Sequence, residues 1–332
     1  MKILVTGAAG YIGSHTCRLL TDSGHQVYGY DNLSRGHREA FSRATGGRLL
    51  IEGDLLDTLQ LKEALQQLEI EAVVHFAAFG LVGESVKNPE MYHRNNVEGS
   101  ASLLHAMHEA SVRLLVVSST TAIYGEPKTM PISENSPAAP INPYGQSKWD
   151  VECLLQQACE HNGLGFAALR YFNAAGAAPD GMLGEDHRPE THLIPIVLQV
   201  ALGQRDRIQI FGDDYPTPDG TCVRDYVHVN DLADAHLKAV NTLTPGESIQ
   251  VNLGSGIGTS VLEIVKHARH VTGHPIPAEM AGRRCGDPPL LIADNSKAQT
   301  VLGWTPKYSS LDSILTSAWR WHQKHPHGYQ AT

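Results

Sequence analysis

The sequence predicts an α/β fold, a doubly wound parallel sheet over residues 1–172 followed by a second, smaller α/β lobe over residues 173–332. Three observations carry this expectation. Apolar strand patterns alternate with helix-length stretches through the first half, a glycine-rich turn joins the first strand to the first helix, and past Asn173 glycine and proline become frequent and the alternation stops.

The chain opens on Lys2–Thr6, a short buried-strand pattern, followed by Gly7-Ala-Ala-Gly10-Tyr-Ile-Gly13 and a helical run over 14–20. Strand, glycine turn and helix in this order form a dinucleotide-binding unit of the Rossmann type. Gly7 permits the tight turn, Gly10 lets backbone approach a pyrophosphate, Gly13 lets helix and strand pack closely, and the helix N-terminus faces the phosphates. A second strand over 26–30 ends at Asp31, where an acid can accept hydrogen bonds from the adenosine ribose and favours NAD over NADP. The competing reading makes Asp31 a turn cap beside Asn32, and Arg35 nearby could greet a 2′-phosphate. Further on, the pattern gives a strand over 48–52, a helix over 59–68, a strand over 71–75 and a long helix over 91–110. A strand over 113–117, a helix opening at Tyr144 and a strand over 166–170 complete the alternation. Beyond it, segments 226–229 and 249–253 are strand candidates expected to rejoin the main sheet.

Tyr144-Gly-Gln-Ser-Lys148 sets a phenol and an ammonium one helical turn apart, downstream of Ser118-Ser-Thr120-Thr. Residues four apart on a helix share a face, so Lys148 can sit beside Tyr144 and favour its ionised form, while the Thr120 hydroxyl can share a proton. Such a trio suits removing a proton from an alcohol while a hydride leaves its carbon. Tyr124 and Lys128 have the same spacing, but Gly125 and Pro127 between them oppose a helix.

At 332 residues, with 42% hydrophobic and 18% charged residues, the chain can bury one large core and a smaller one. A net charge of −9 speaks against nucleic-acid binding. Cys17, Cys153, Cys159, Cys222 and Cys285 are odd in number and lack a C-x-x-C pair, which predicts reduced thiols in the cytoplasm. The chain starts directly on a strand and has no stretch of about 18 apolar residues, so it is expected to be neither secreted nor membrane-spanning. Among the 18 histidines, His105/His108 and His267/His270/His274 fall at helical spacings without a carboxylate or cysteine at ligand spacing, so no metal is expected. The tail around His322, His325 and His327 reads as a frayed end.

Gly7-x-x-Gly10-x-x-Gly13, Asp31-Asn32, Asp54-Leu55, His75-Phe-Ala-Ala78, Ser118-Ser-Thr120, Tyr144-x-x-x-Lys148, Arg170-Tyr-Phe-Asn173 and Val223-Arg-Asp-Tyr226 together resemble the extended short-chain dehydrogenases/reductases that act on nucleotide sugars. The resemblance runs from Met1 to about Trp304 and is strongest to the NAD-dependent nucleotide-sugar epimerases, with residues 210–226 especially specific. It implies inversion at C4 of a UDP-hexose through a 4-keto intermediate, with NAD as tightly bound cofactor, and a homodimer formed by the helices of 91–110 and after Tyr144. Gly7, Gly10, Tyr11, Ile12, Gly13, Asp31, Asn32, Asp54, Leu55, Phe76, Ala77, Ala78, Asn95, Ser118, Tyr171 and Phe172 would hold the NAD. Tyr144 would be the base, Lys148 its electrostatic partner and ribose anchor, and Thr120 the hydroxyl that meets the sugar. Asn173, His192, Leu193, Gln209, Phe211, Arg224, Tyr226, Arg284 and Asp287 match positions that hold the UDP-sugar. Phe211 as core and Arg224 as a partner of Asp225 are the competing readings of those two.

Three positions depart from the family pattern. Thr120 stands where serine is usual, Gly80 where some members carry a lysine near the cofactor, and Leu291 at a position that resembles a gate for N-acetylated sugars, where stricter members carry a larger tyrosine. A nucleotide-sugar 4,6-dehydratase would need carboxyl groups where this chain has Thr121 and Ala122. A UDP-glucuronate epimerase differs only in the pocket around C6, and a non-catalytic NAD-binding regulator would not need the Tyr144/Lys148/Thr120 set.

Overall fold

The computed structural model describes residues 1–284 and 286–330. Cys285, read above as a reduced thiol, lies outside the described residues.

Strand β1 (Lys2–Thr6) is buried from Ile3 onward and turns into helix α1 (Tyr11–Asp22) through the glycine segment. Gly7 takes φ +67°, and a Cβ there would stand 2.6 Å from the Ala77 nitrogen, so glycine is required. Next come β2 (Gln26–Asp31), α2 (Arg38–Thr45), β3 (Leu50–Glu52) and α3 (Thr58–Gln67), the last started by Asp57, whose carboxylate accepts from the Gln60 N–H. β4 (Ala72–His75) leads to α4 (Val82–Lys87), α5 (Pro89–Tyr92), a π-helical turn over His93–Glu98 and α6 (Gly99–Glu109). β5 (Leu114–Thr120) precedes the long α7 (Pro143–Asn162), capped by the Asn142 side chain and ended by Gly163 at φ +66°. All seven residues of β6 (Gly165–Tyr171) are buried.

These strands form a seven-stranded sheet in the order β3-β2-β1-β4-β5-β6, extended beyond β6 by β10 (Ser248–Leu253), and every pairing in it is parallel. Alternate residues serve two cores, as a sheet covered on both faces requires. Ile3, Val5, Ala167 and Leu169 point to one side, against Cys17 and Leu20 of α1 and against Leu232, Ala235 and Ala239 of α9 (Val229–Thr242). Leu4, Phe166 and Ala168 point to the other, against α3, α6 and α7. The doubly wound expectation is thus borne out.

The remaining chain forms β7 (Asn173–Ala175), α8 (Leu193–Ala201), β8 (Ile208–Phe211) and β9 (Val223–His228) before α9 and β10. It continues as β11 (Gly258–Ser260), α10 (Val261–Thr272), β12 (Ala278–Ala281), β13 (Leu290–Leu291), α11 (Ser296–Leu302) and α12 (Leu311–Lys324). A third core of Ile194, Leu198, Ile210, Ile264, Ile314 and Trp319 packs α8, α10 and α12 together.

Three expectations need correction. The strand around 226–229 does not rejoin the main sheet, because β10 occupies the free edge of β6. β9 pairs instead with β7, β11 and β13, and only the following α9 returns to the main sheet. The helix predicted over 91–110 is interrupted by the π-helical turn, whose extra residue redirects Asn95 and Asn96. The tail is not frayed, since His322 and Tyr329 are buried and the His325 ring lies 4.1 Å from Trp321.

One buried ion pair ties three of these elements together. Arg170 of β6 donates to Glu152 of α7 from Nη2 at 2.6 Å and Nε at 3.1 Å, and Ser119 of β5 donates to the same carboxylate at 2.5 Å. Their side chains are 8% and 4% exposed. Glu152→Ala would leave Arg170 buried and uncompensated, which costs about 3–5 kcal/mol. Denaturant titration should show that loss, and a change below about 1 kcal/mol would contradict it.

Candidate active site

The sheet order reverses between β1 and β4, the place where open α/β sheets bind ligands at their carboxyl edge. A continuous cleft of about 2090 Å³ runs along that edge to residues of β8, β9 and β13. This exceeds the roughly 300–1,000 Å³ of a usual small-molecule site, leaving room for two ligands end to end. Every candidate binding or catalytic residue named above lines it.

At one end lie Gly7, Gly10, Tyr11, Ile12 and Gly13 with Asp31, Asn32, Asp54, Leu55, Phe76, Ala77, Ala78 and Asn95. A Cβ on Gly13 would run into the Gly7 carbonyl. No side chain caps α1 and no acid stands in its first turn, so its leading N–H groups are left for an anion. Burial pushes the Asp31 carboxyl up, opposed by hydrogen bonds from Leu33 N–H at 2.8 Å and Ala9 N–H at 2.9 Å. Asn32 donates to Asp54 at 2.9 Å, joining the tips after β2 and β3. Behind Asn95, the buried Asn96 accepts from Phe79 N–H at 2.8 Å and donates to its carbonyl and to Ser147 at 3.0 Å. This end fits a dinucleotide.

In the middle, Thr120 at the end of β5 and Tyr144 in the first turn of α7 both line the cleft, with the threonine hydroxyl near the phenol. The protein's own groups do not ionise the phenol, contrary to the expectation. Burial raises the Tyr144 pKa, and the nearby Thr120 hydroxyl only partly offsets it. Lys148 donates to the Ser118 carbonyl at 2.9 Å, and burial lowers its pKa to about 8 against the opposing charge of Glu152. Tyr171 and Phe172 close the floor. The rival Tyr124 sits in a short 3-10 turn, with its hydroxyl bonded to Arg170 and Asn252 at 2.8 Å and outside the cleft lining.

At the far end stand Asn173, His192, Leu193, Gln209, Phe211, Arg224, Tyr226, Arg284 and Asp287, with Leu291 toward the middle. Arg224 pairs with Asp287 and not with Asp225, which accepts from Ser255, Gly256 and Ala293 N–H. Phe211 is half-buried, not core, and the Arg284 guanidinium lies 4.0 Å over its ring. Leu291 packs beside the cluster of Ile123, Tyr124, Ile132 and Phe172. Thr121 and Ala122 also line the cleft and bring no carboxyl group.

Sequence reasoning missed one constellation. The loop before α8 gathers Glu185, His187, Glu190 and His192, with their polar atoms within 4.8 Å of one another. The Glu-x-His-x-x-Glu-x-His spacing was the available signal, but it lies in a loop where no helical periodicity draws attention to it. His192 Nδ1 is 2.8 Å from Glu185 and 3.1 Å from Glu190, and His187 Nδ1 is 3.2 Å from Glu185. The histidines set aside earlier, on α6, on α10 and, for His274, just beyond it, are exposed surface residues.

Burial opposes charging these two imidazoles, yet the carboxylates prevail and hold His187 up to about 9 and His192 up to about 10. Both pKa values exceed the ordinary 6.5, so their contribution to stability is complete below about pH 6.5 and is lost as pH climbs through 9 to 10. Glu185→Gln should therefore lower the thermal midpoint more at pH 7 than at pH 10. An equal deficit at both values would contradict the charged state.

Comparison with known proteins places these residues in context. The profile of the NAD dependent epimerase/dehydratase family matches residues 3–254. The chain is similar to a UDP-glucose 4-epimerase of Halalkalibacterium halodurans, 55% identical over 330 residues, covering 99% of this chain and 98% of that protein. Among solved structures it is similar to a Bifidobacterium longum UDP-glucose 4-epimerase in complex with NAD+ and UDP, with a TM-score of 0.95 and 38% identity over 99% of this chain and 100% of that one. It also matches a Brucella ovis UDP-glucose 4-epimerase in complex with NAD, with a TM-score of 0.92 and 47% identity over 96% and 97% of the two chains.

Proposed function

The chain belongs to the NAD dependent epimerase/dehydratase family, and we propose that it interconverts UDP-glucose and UDP-galactose by inverting C4 of the hexose, with NAD as a cofactor that stays bound. The observation that carries this reading is the Thr120–Tyr144 pair midway along one cleft, between the Asp31 end and the Arg224/Arg284 end. A glycine turn alone would serve any dinucleotide, and arginines alone any nucleotide diphosphate. A proton-handling pair between them calls for a nucleotide sugar whose hydroxyl is oxidised and restored.

NAD, held by the Gly7–Gly13 turn and Asp31, would supply the acceptor and donor for the C4 hydride and a positive charge beside the phenol. Tyr144 takes the proton of the C4 hydroxyl, directly or through Thr120, and gives it back when C4 is reduced. Lys148, fixed on the Ser118 carbonyl, holds its ammonium under the end of β5 and anchors the ribose. Arg224 and Arg284 neutralise the UDP pyrophosphate, Phe211 packs on the uracil, and Asp287 accepts from ribose hydroxyls. Because only the nucleotide end is gripped by charges, the 4-keto sugar can turn and present its other face.

We further propose a cytoplasmic homodimer. The four described cysteines are free thiols, and no helix among the described residues is long and apolar enough to cross a membrane. α6 and α7 pack side by side on one face and offer a two-helix surface for a two-fold contact, the commonest symmetry of soluble oligomers. Light scattering at micromolar concentration should return twice the chain mass; a monomer overturns the assembly.

Incubation of the purified protein with UDP-galactose and no added NAD should yield UDP-glucose by NMR, whereas a 4-keto-6-deoxy product would refute the reaction. Tyr144→Phe should cut turnover by roughly 10²-fold or more while bound NAD is retained, and near-normal turnover would mean that the base is elsewhere. Leu291 borders the sugar and should crowd a C2 acetamido group, at a cost of about 1–3 kcal/mol or roughly 5- to 150-fold in preference. Leu291→Ser should then raise activity on UDP-N-acetylglucosamine selectively. If neither sugar responds, the residue is packing.

A further inference from the structure

The loop after β2 carries a cation that the dinucleotide reading leaves unused. Asp31 lies at its base, and Gly36 is pressed against it so closely that a Cβ would stand 3.1 Å from Asp31 Oδ1. Arg35, next to Gly36, therefore springs from the turn that borders the adenosine ribose and lines the same cleft. An arginine at this place is the group that accommodates a ribose 2′-phosphate in NADP-binding sites. Here the guanidinium is already engaged. Arg35 Nη2 donates to Glu84 Oε2 of α4 at 2.6 Å, and the guanidinium lies 4.2 Å over the Phe79 ring.

Glu84 is itself held in place. The hydroxyl of Tyr92, a fully buried residue of α5, lies 2.8 Å from both the same Glu84 oxygen and the Leu81 carbonyl, which share its proton, while it accepts from Leu81 N–H at 2.9 Å. Burial pushes the Glu84 carboxyl up, but the hydrogen bonds from Arg35 and Tyr92 hold it below its ordinary value, so it stays charged at neutral pH. Both partners of the ion pair keep about a third of their side-chain surface exposed, so a phosphate could reach Arg35 if Glu84 did not hold it.

We propose that Glu84 is a specificity-determining residue that captures Arg35 and so denies a ribose 2′-phosphate its partner. NADP is then refused twice, by the negative charge of Asp31 and by the loss of the one cation the loop offers. Glu84 touches neither the ribose nor the reacting atoms and acts through Arg35, with the Tyr92 hydroxyl fixing its orientation.

The inference rests on the NAD reading, and the test separates the two. Purified holoprotein is assayed for bound NAD per chain, then challenged with NADP+ while released NAD+ is measured by chromatography. Glu84→Gln frees Arg35 and should lower the NADP+ concentration that displaces half the NAD by about 5-fold or more, the scale of a partly exposed ion pair. Arg35→Ala alone should leave that concentration unchanged, and the double variant should match Arg35→Ala. An unchanged Glu84→Gln, or a gain that persists without Arg35, overturns the proposal while the NAD reading stands. Protein that binds no NAD overturns both. Should Glu84→Gln fail to fold, Glu84→Asp, which withdraws the carboxylate by one methylene, must shift displacement in the same direction, and no shift defeats the idea.

Discussion

The site depends on the buried pair between Glu152 and Arg170. Glu152 stands one turn beyond Lys148 on α7, and its carboxylate accepts from Ser119, the neighbour of Thr120 on β5. Arg170 lies on β6, just before the chain leaves the main sheet at Phe172, and reaches Tyr124, whose hydroxyl donates to Asn252 of β10. One interaction thus fixes the strand that carries the threonine, the helix that carries the tyrosine and lysine, and the two strands at the edge facing the second lobe. Two desolvated charges hold only when their geometry and remaining hydrogen bonds are satisfied, so small displacements are resisted on all four elements at once.

That rigidity does not make a base of Tyr144. Burial keeps the phenol neutral, and Lys148 spends a hydrogen bond on the Ser118 carbonyl while burial drains its own affinity for a proton. On the proposed reaction this is an advantage. A phenol that ionises only when further positive charge is brought beside it is competent only in the loaded enzyme. Nearby His75 is kept neutral, its pKa lowered to about 3 by burial and by Lys148, and its ring bridges Thr6 at 2.6 Å and Ser100 at 3.0 Å. It adds no competing charge beneath the site.

Much of this was legible in the sequence because the relevant physics is local. Period and length gave the strands of the main sheet, and the glycine spacing gave the turn at Gly7 because no residue with a Cβ fits there. Tyr144 and Lys148 fall on one helix while Tyr124 and Lys128 do not, as Pro127 and Gly125 between the latter two require. What stayed hidden is non-local. Which strand fills the free edge of β6 is decided by pairing between segments far apart, so β9 was assigned to the wrong sheet and β10 to the right one. The π-helical turn at His93–Glu98 leaves no periodic mark over so few residues. Glu152, Glu84 and Glu185 carry no local signal, since only the fold brings Arg170, Arg35 and two histidines to them.

The distribution of charge along the cleft explains how one site could treat both faces of a sugar. The far end is crowded with fixed polar groups: Arg224 is locked to Asp287, Arg284 is stacked on Phe211, and His192 is clamped by two carboxylates. The middle, where a hexose would lie, is lined by Thr120, Thr121, Tyr144 and Lys148 beside the nonpolar surfaces of Phe172 and Leu291, with no arginine among them. A site that stabilised a single orientation would need directional partners for several sugar hydroxyls, and each would have to break before the ring could turn. Charge-assisted contacts from arginines at the nucleotide and weaker hydroxyl contacts at the hexose would divide the work differently. On the proposed reaction the pyrophosphate would hold the ligand for the whole cycle, while the sugar end would stay free to rotate. The proposed role of Leu291 fits the same division, since a wall made of shape and not of hydrogen bonds would discriminate among sugars by volume and would not bind either face in preference to the other.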